Sequence, residues 1–465
     1  MGLVSRFPLP FAVCLLLAAV AAFGLGANGT ALAATPQLVV EDISAESKFP
    51  DGINFRVRVD HPRDVKSITV TFTLVGPKRP VPQYSHLPLP ETASGVSEAM
   101  YRTGERYIPP GVLMDYYFDV EDTAGNVVRS RAGRFVYDDP RFTWQEIQKD
   151  SLTIRYYGPV QRRAETVVDA VNSTVDRIGR RLFGLTEVSP VRLTLYNNWR
   201  DMVTALPPTS RTQRGELITE GTTFSNFNTI LLLSDDSSVR GLASHEMVHF
   251  LLSDALGPAR IPVWMNEGLA EYGNVEPSQV YEQYLSLAIV RGTMKPLASL
   301  ESMPGLSEDV IVVYGQGRSV VEYMIEVEPD GAAKLRKLLG LMREHNSFGT
   351  ALQQSYGFDL FELDQRWRKS IGAPQLSRDI SGTAQPKAPT LTVAPLPFPT
   401  PSQSAPAPSA TSPSTAESAA PSPDRPRREG GGGACSRGDA AAMDLGMWLG
   451  LAGVLALVLA TRRRT

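Results

Sequence analysis

The sequence predicts an all-β domain followed by an α+β domain, set between an apolar leader and a Pro/Ser/Ala-rich tail that ends in one apolar helix. Three observations carry this. Within residues 37 to 140, apolar and polar side chains alternate with a period of two, the signature of half-buried strands. Residues 141 to 372 mix such strands with apolar residues at helical spacing. Residues 373 to about 440 are dominated by Pro, Ser, Ala and Thr, a composition that cannot bury a core. Between leader and tail lie about 340 residues, enough for two domains.

The chain opens with a short basic stretch, Met1 to Arg6, and an apolar run from Phe11 to Leu25, and Ala31-Leu32-Ala33 supplies small residues for cleavage. Residues 1–34 therefore read as a secretory signal peptide. Cys14 lies inside the apolar run without a lipobox. Of the two cysteines only Cys435 would remain after processing, so no disulfide can form within the exported chain.

In residues 37–140, Phe55-Arg56-Val57-Arg58-Val59 and Ser67 to Thr73 alternate cleanly, and Tyr116 to Val120 leads through Asp122-Thr123-Ala124-Gly125-Asn126, a turn, into Val127-Val128-Arg129. With Pro109-Pro110-Gly111, these turns resemble those of bacterial Ig-like or fibronectin type III modules, which implies a β-sandwich. Such a domain could bind substrate, bind a wall component, or act only as a spacer. His61 and His86 lack metal spacing and read as surface residues.

In residues 141–372, Val191 to Tyr196 and Thr229 to Ser234 read as strands, and residues 161 to 182 as a helix with Val167, Val168, Val171 and Ile178 on its apolar side. Directly after the second strand come His245-Glu246-Met247-Val248-His249. Histidines four apart project from one helix face, one turn apart, so their rings can grip one Zn²⁺ ion. Glu246 lies beside that ion without being drawn onto it, and can take a proton from an activated water. A third ligand is needed, and Glu267 in Trp264-Met265-Asn266-Glu267-Gly268-Leu269-Ala270-Glu271-Tyr272 is the candidate. Two histidines and a carboxylate leave one position open, the pattern of a catalytic zinc site.

The motif is short, and with five histidines in the chain it should arise by accident in roughly one chain of this size in a hundred. Against the metal reading stands a helix whose histidines are only hydrogen-bonded in a core. Leu242, Val248, Leu251 and Leu252 make this helix apolar, and Ser253-Asp254 and Gly257-Pro258 end it. Glu271, one turn after Glu267, can accept the other ring N–H of a ligand histidine, His245 being the expected one. The other reading of Glu271 is a solvated helix charge.

HEMVH followed by PVWMNEGLAEY resembles the gluzincin zinc peptidases, and most closely the peptidase MA-like domain of bacterial extracytoplasmic proteins. The resemblance spans roughly residues 141 to 372 and implies a zincin-like α+β fold that cleaves peptide or protein substrates. By it His245, His249 and Glu267 are zinc ligands and Glu246 is the general base. Aminopeptidase-type gluzincins place eighteen residues between the second histidine and the glutamate, and here there are seventeen. They also carry an upstream G-x-M-E-N motif whose glutamate holds the substrate's amino end. In the comparable place stand Glu220-Gly221-Thr222-Thr223-Phe224-Ser225-Asn226, without that pattern, which favours an endopeptidase. In zincin folds the last strand before the zinc helix is a cleft edge on which an extended peptide can pair. That role falls here to Thr229 to Ser234, unless its unbroken apolar run marks an ordinary buried strand. A zincin also needs a hydrogen-bond donor for the oxyanion. Tyr314, expected to open a helix that continues to Tyr323, is the candidate. The alternatives are a half-buried packing tyrosine at this position, or His345 as donor from an exposed helix end.

Beyond residues 373–440, with their Gly430 to Gly433 run, residues 443–465 hold an apolar helix, Leu445 to Ala460, closed by Arg462-Arg463-Arg464. It reads as a short single transmembrane helix with a basic cytoplasmic end. Gly-run, Cys435, helix and arginines together also resemble a bacterial sorting tail processed at Cys435; the other reading is a plain anchor. Net charge is −3 and basic residues are scattered, so no nucleic-acid footprint is present. The expectation is an exported, membrane-anchored zinc endopeptidase acting outside the cytoplasm. Its rivals are a surface binding or adhesion protein with a degenerate zincin domain, and a module in which zinc only stabilises the fold. Substrate and oligomeric state are not encoded legibly.

Overall fold

The computed structural model of the chain describes residues 38–77, 80–104, 106–207, 221–234, 238–303 and 307–377. The expected signal peptide, most of the Pro/Ser/Ala-rich tail, Glu220, Cys435 and the expected C-terminal apolar helix lie outside the described residues. Among the described residues no helix is long and apolar enough to cross a membrane.

Among the described residues, eight strands make the N-terminal region: β1 (Val40–Lys48), β2 (Gly52–Val59), β3 (Val65–Leu74), β4 (Gln83–Leu87), β5 (Val96–Arg102), β6 (Val112–Asp122), β7 (Val127–Arg129) and β8 (Gly133–Tyr137). One antiparallel sheet runs β1-β2-β5 and another runs β4-β3-β6-β7, with β8 also paired to β6. The period-two alternation decides which side chains meet between the sheets. Phe55 of β2 reaches Phe72 of β3 and Phe118 of β6, with ring centroids 5.3 and 6.4 Å apart. The turn at Asp122 to Asn126 is closed by Asn126 N–H donating to Asp122 Oδ1 at 2.8 Å. Gly125 there takes φ +88°, a conformation that favours glycine.

The second region starts with the hairpin β9 (Gln145–Lys149) and β10 (Leu152–Tyr156), then helix α1 (Gln161–Thr174), which continues as a π-helical turn over Val175–Leu182. Next come β11 (Val191–Tyr196), the short α2 (Trp199–Val203), β12 (Gly221–Phe224) and β13 (Thr229–Leu233). Helices complete the fold: α3 (Val239–Leu256), α4 (Val263–Gly273), α5 (Gln279–Arg291), α6 (Ser307–Glu322), α7 (Gly331–Arg343), α8 (Phe348–Tyr356) and α9 (Leu360–Ser370). The strands form one mixed sheet in the order β12-β13-β11-β10-β9, parallel between β10, β11 and β13 and antiparallel at both ends.

The expectation that Thr229 to Ser234 forms the cleft edge is corrected. β13 is interior, hydrogen-bonded to β11 on one side and to β12 on the other, and all five of its residues are buried. The unbroken Ile-Leu-Leu-Leu run is that of a strand covered on both faces. Among the described residues, the edge on this side of the sheet is the four-residue β12, and β9 forms the other.

What covers the two faces differs. Leu193, Leu195, Ile230 and Leu232 pack with the helices. Tyr196, Phe224, Leu231 and Leu233 belong instead to the core of the N-terminal β-sheets. The seam is tight. A Cβ at Gly111, which takes φ +97°, would stand 2.3 Å from Thr194 Oγ1. Arg155, buried, pairs with Asp138 and, at 2.9 Å, with Glu146. Arg192 donates to the carbonyl oxygen of Gly111 at 2.9 Å, and Tyr196 donates its hydroxyl to Asp139 at 3.1 Å.

Each of the four large side chains on the outer sheet face is worth about 2 kcal/mol of burial. Residues 141–377 expressed without residues 38–140 should therefore aggregate or bind the dye ANS strongly in size-exclusion and fluorescence assays. A monodisperse fragment with the thermal midpoint of the whole protein would show that the β-sheets are not needed to cover this face.

Candidate metal centre

Helix α3 runs through the middle of the second region and is buried along nearly its whole length. Apolar contacts fix it on several sides: Leu251 touches Gly179 of the π-helical turn, and Val248 touches Gly273 of α4. It stops at Gly257, whose N–H returns to the carbonyl oxygen of Ser253 at 2.9 Å. Held this way, α3 turns His245 and His249 toward the same point. Their Nε2 atoms are 3.1 Å apart.

Helix α4 supplies the partner side chains because it lies against α6 at backbone distance. A Cβ on Gly268 would meet the carbonyl oxygen of Gly317 at 2.3 Å, and one on Gly317 would meet that of Trp264 at 2.3 Å. This crossing brings Glu267 to the histidines, with Oε2 3.6 Å from His245 Nε2 and 3.5 Å from His249 Nε2. One turn on, Glu271 Oε1 sits 2.7 Å from His245 Nδ1, although the ring N–H is not aligned on it as a hydrogen bond. His249 Nδ1 is buried without a hydrogen-bond partner.

Three donor atoms from His245, His249 and Glu267 thus gather within 4.8 Å of one another and could hold a metal ion. Tetrahedral ligands about 2.05 Å from a central ion stand about 3.3 Å from each other. The distances of 3.1, 3.5 and 3.6 Å bracket that edge, so the donor set and its spacing fit an ion of zinc's size and preferences.

Glu246 lies against β12, where Thr223 donates its hydroxyl to Oε2 at 2.7 Å. Tyr314 stands in the middle of α6 rather than at its start, and it is fully buried rather than half-buried. Its ring is 6.1 Å from that of His245 and stacks on Tyr281 at 5.3 Å. His345 is exposed beyond the end of α7, away from these residues. Thr223, Gly221 and the Gly268–Gly317 crossing were not singled out from sequence. A glycine inside the helical pattern of NEGLAEY was the one available hint of a close helix contact.

Electrostatics follow from burial. Desolvation opposes a charge on His245, but Glu271 and then Glu267 outweigh it and push its pKa up to about 10. Desolvation likewise favours neutral Glu267, yet His249 and His245 outweigh it and hold the carboxyl well below its ordinary range. Burial, with Glu267 beside it, raises the Tyr314 hydroxyl well above its ordinary value, so it keeps its proton as a donor.

These directions make a sign-specific prediction for metal-free protein. The folded His245 value exceeds the unfolded 6.5, so its stabilising charge is complete below that pH and is lost as pH rises through about 10. Thermal midpoints measured in EDTA should therefore fall between about pH 7 and 10. The fall should shrink in Glu271→Gln, which lacks the largest raising charge. A midpoint equally flat in both proteins would contradict the coupling.

Residues 173–373 match the profile described as "Peptidase MA superfamily". No curated protein matches the chain in sequence. Among solved structures, yeast leukotriene A4 hydrolase in complex with bestatin aligns over 66% of this chain and 62% of its own, at 11% identity and a TM-score of 0.30. The native yeast enzyme aligns over 71% and 66%, at 11% identity and a TM-score of 0.29. The chain thus covers under two thirds of the length of either, and superposition at this level is too loose to assign a fold. What the comparisons show is therefore similarity to the Peptidase MA superfamily over residues 173–373.

Proposed function

We propose that this protein is a zinc-dependent endopeptidase of gluzincin type, with His245, His249 and Glu267 as ligands and Glu246 as general base. The observation that carries the reading is the convergence of three donor atoms from two helices within 4.8 Å, with a fourth buried ionisable side chain, Glu246, directly after His245 on α3. When bound, Zn²⁺ supplies a Lewis acid that polarises the scissile carbonyl and acidifies water.

The chain's own residues do the rest. Glu246 accepts the proton of the attacking water and delivers it to the leaving amine. Glu271 orients His245 from behind, fixing which ring nitrogen faces the ion. Tyr314 keeps its proton and is the proposed donor to the oxyanion. An endopeptidase is favoured over an exopeptidase because the sequence Glu220 to Asn226 lacks the G-x-M-E-N pattern whose glutamate holds a substrate's amino end. Export and membrane attachment belong to the same reading. They are supported by the Phe11 to Leu25 run and by the Leu445 to Ala460 run with its three arginines.

The first test uses the full chain with labelled casein. Glu246→Gln should abolish turnover at unchanged zinc content, and Glu267→Ala should lose zinc. Hydrolysis surviving in the first variant removes Glu246 as the base, and full zinc occupancy in the second removes Glu267 from the ligand set. A wild-type protein that takes up no zinc would favour the surface-binding alternative.

Tyr314→Phe keeps the stacked ring and removes only the hydroxyl. If the hydroxyl serves the oxyanion, kcat should fall about 100- to 1,000-fold with little change in KM. An unchanged kcat would leave Tyr314 a packing residue.

A further inference from the structure

We propose that Thr223 is the positioning residue of Glu246, an assignment that rests on the reading of Glu246 as general base. The contact is made between two buried side chains. Thr223 Oγ1 donates to Glu246 Oε2 at 2.7 Å and also lies 2.9 Å from the backbone carbonyl oxygen of Glu246. Thr223 is 6% exposed and Glu246 3%, so no bulk water competes for that bond.

The strand's alternation explains why this residue is the one that reaches. Gly221 and Thr223 share the face of β12 turned to α3, and Thr222 and Phe224 share the other. Gly221 leaves the room: a Cβ there would stand 2.8 Å from both Glu246 Cγ and Oε1, and 2.9 Å from Leu242 Cδ1. One carboxylate oxygen is therefore taken by the threonine hydroxyl, and the other rests against a glycine that cannot crowd it. The opposite face of the strand is braced, because the Phe224 ring packs on Tyr107 of the N-terminal region at 5.5 Å between centroids. Tyr107 in turn donates its hydroxyl to the carbonyl oxygen of Ala205.

A glutamate side chain has three rotatable bonds, and a base must be held within about 0.5 Å of its productive position. The Thr223 hydroxyl has one proton. Donating it to Oε2 selects one rotamer and leaves Oε1 as the acceptor for water. Threonine suits the task because its branched Cβ restricts χ1.

The test compares full-length zinc-loaded wild type, Thr223→Val, Thr223→Ser and Glu246→Gln on labelled casein, with zinc content and crystal structures of each. Thr223→Val is near-isosteric and should lower kcat about 10- to 100-fold, the loss expected for one hydrogen bond to a charged group. KM and zinc content should hold, and the Glu246 carboxylate should leave its wild-type position in the crystal. Thr223→Ser should restore most of kcat. Wild-type kcat in Thr223→Val, or an undisplaced carboxylate, overturns the assignment. So does an equal loss in Val and Ser accompanied by lost zinc, which is the pattern of a merely structural residue. Hydrolysis persisting in Glu246→Gln would instead overturn the base reading beneath it, and the two failures are told apart by that variant.

Discussion

Five ionisable side chains, His245, Glu246, His249, Glu267 and Glu271, are packed within two helices and none is more than 9% exposed. Burying that many charges is tolerable only when each has a partner, because a lone buried ion costs several kcal/mol after relaxation. The arrangement meets that demand in pairs: His245 between Glu267 and Glu271, His249 against Glu267, and Glu246 against the Thr223 hydroxyl. Every other feature of the domain serves to hold these groups in register. Helix α3 has no freedom to turn because it is covered on nearly all sides, and α4 cannot slide because it touches α6 at backbone distance.

The sheet under these helices is the next constraint. A parallel core strand is normally covered by helices on both faces. Here helices cover one face only, and the second is covered by the N-terminal β-sheets through Tyr196, Phe224, Leu231 and Leu233. This makes the β region part of the scaffold on which α3 stands. The seam is welded by charge as well, with Arg155 between Asp138 and Glu146 and Arg192 shared between Glu146 and Gly111. Of the three roles open to the β region from its sequence, spacing alone does not account for this interface. A spacer would not need to cover a buried sheet face.

Legibility in the sequence followed the physics of each feature. The strands around Phe55, Ser67 and Tyr116 and the helix over residues 161 to 182 were readable because their periodicity is local and one face of each is buried. The trio His245, His249 and Glu267 was readable because helical spacing alone brings two of them together. The edge strand was not. Four residues, Gly-Thr-Thr-Phe, carry too short a pattern to register a strand, and the longer apolar run of β13 drew the edge role to itself. Thr223 was equally invisible, since its significance is a pairing across 23 positions that no periodicity encodes. Tyr314 was a candidate through likeness rather than pattern, and its depth in the helix follows from α6 beginning seven residues earlier, at Ser307.

The glycine pair at the α4–α6 crossing shows how a long-range constraint hides in an unremarkable residue. Glycine in a helix interior costs about 1 kcal/mol relative to alanine, so two facing glycines are retained against propensity. What they give is distance. With Gly268 against Gly317, the two helices approach closer than side chains normally permit, and the residues flanking the contact are drawn in with them: Glu267 and Glu271 on one helix, Tyr314 on the other. A Cβ at Gly268 would fall 2.3 Å from a carbonyl oxygen, which is backbone and cannot swing aside. The helices would have to separate, and Glu267 would withdraw from the histidines by a similar amount. Distances of 3.5 and 3.6 Å to the histidines leave little room for that, so the convergence of the three candidate donors is set as much by two residues without side chains as by the three themselves.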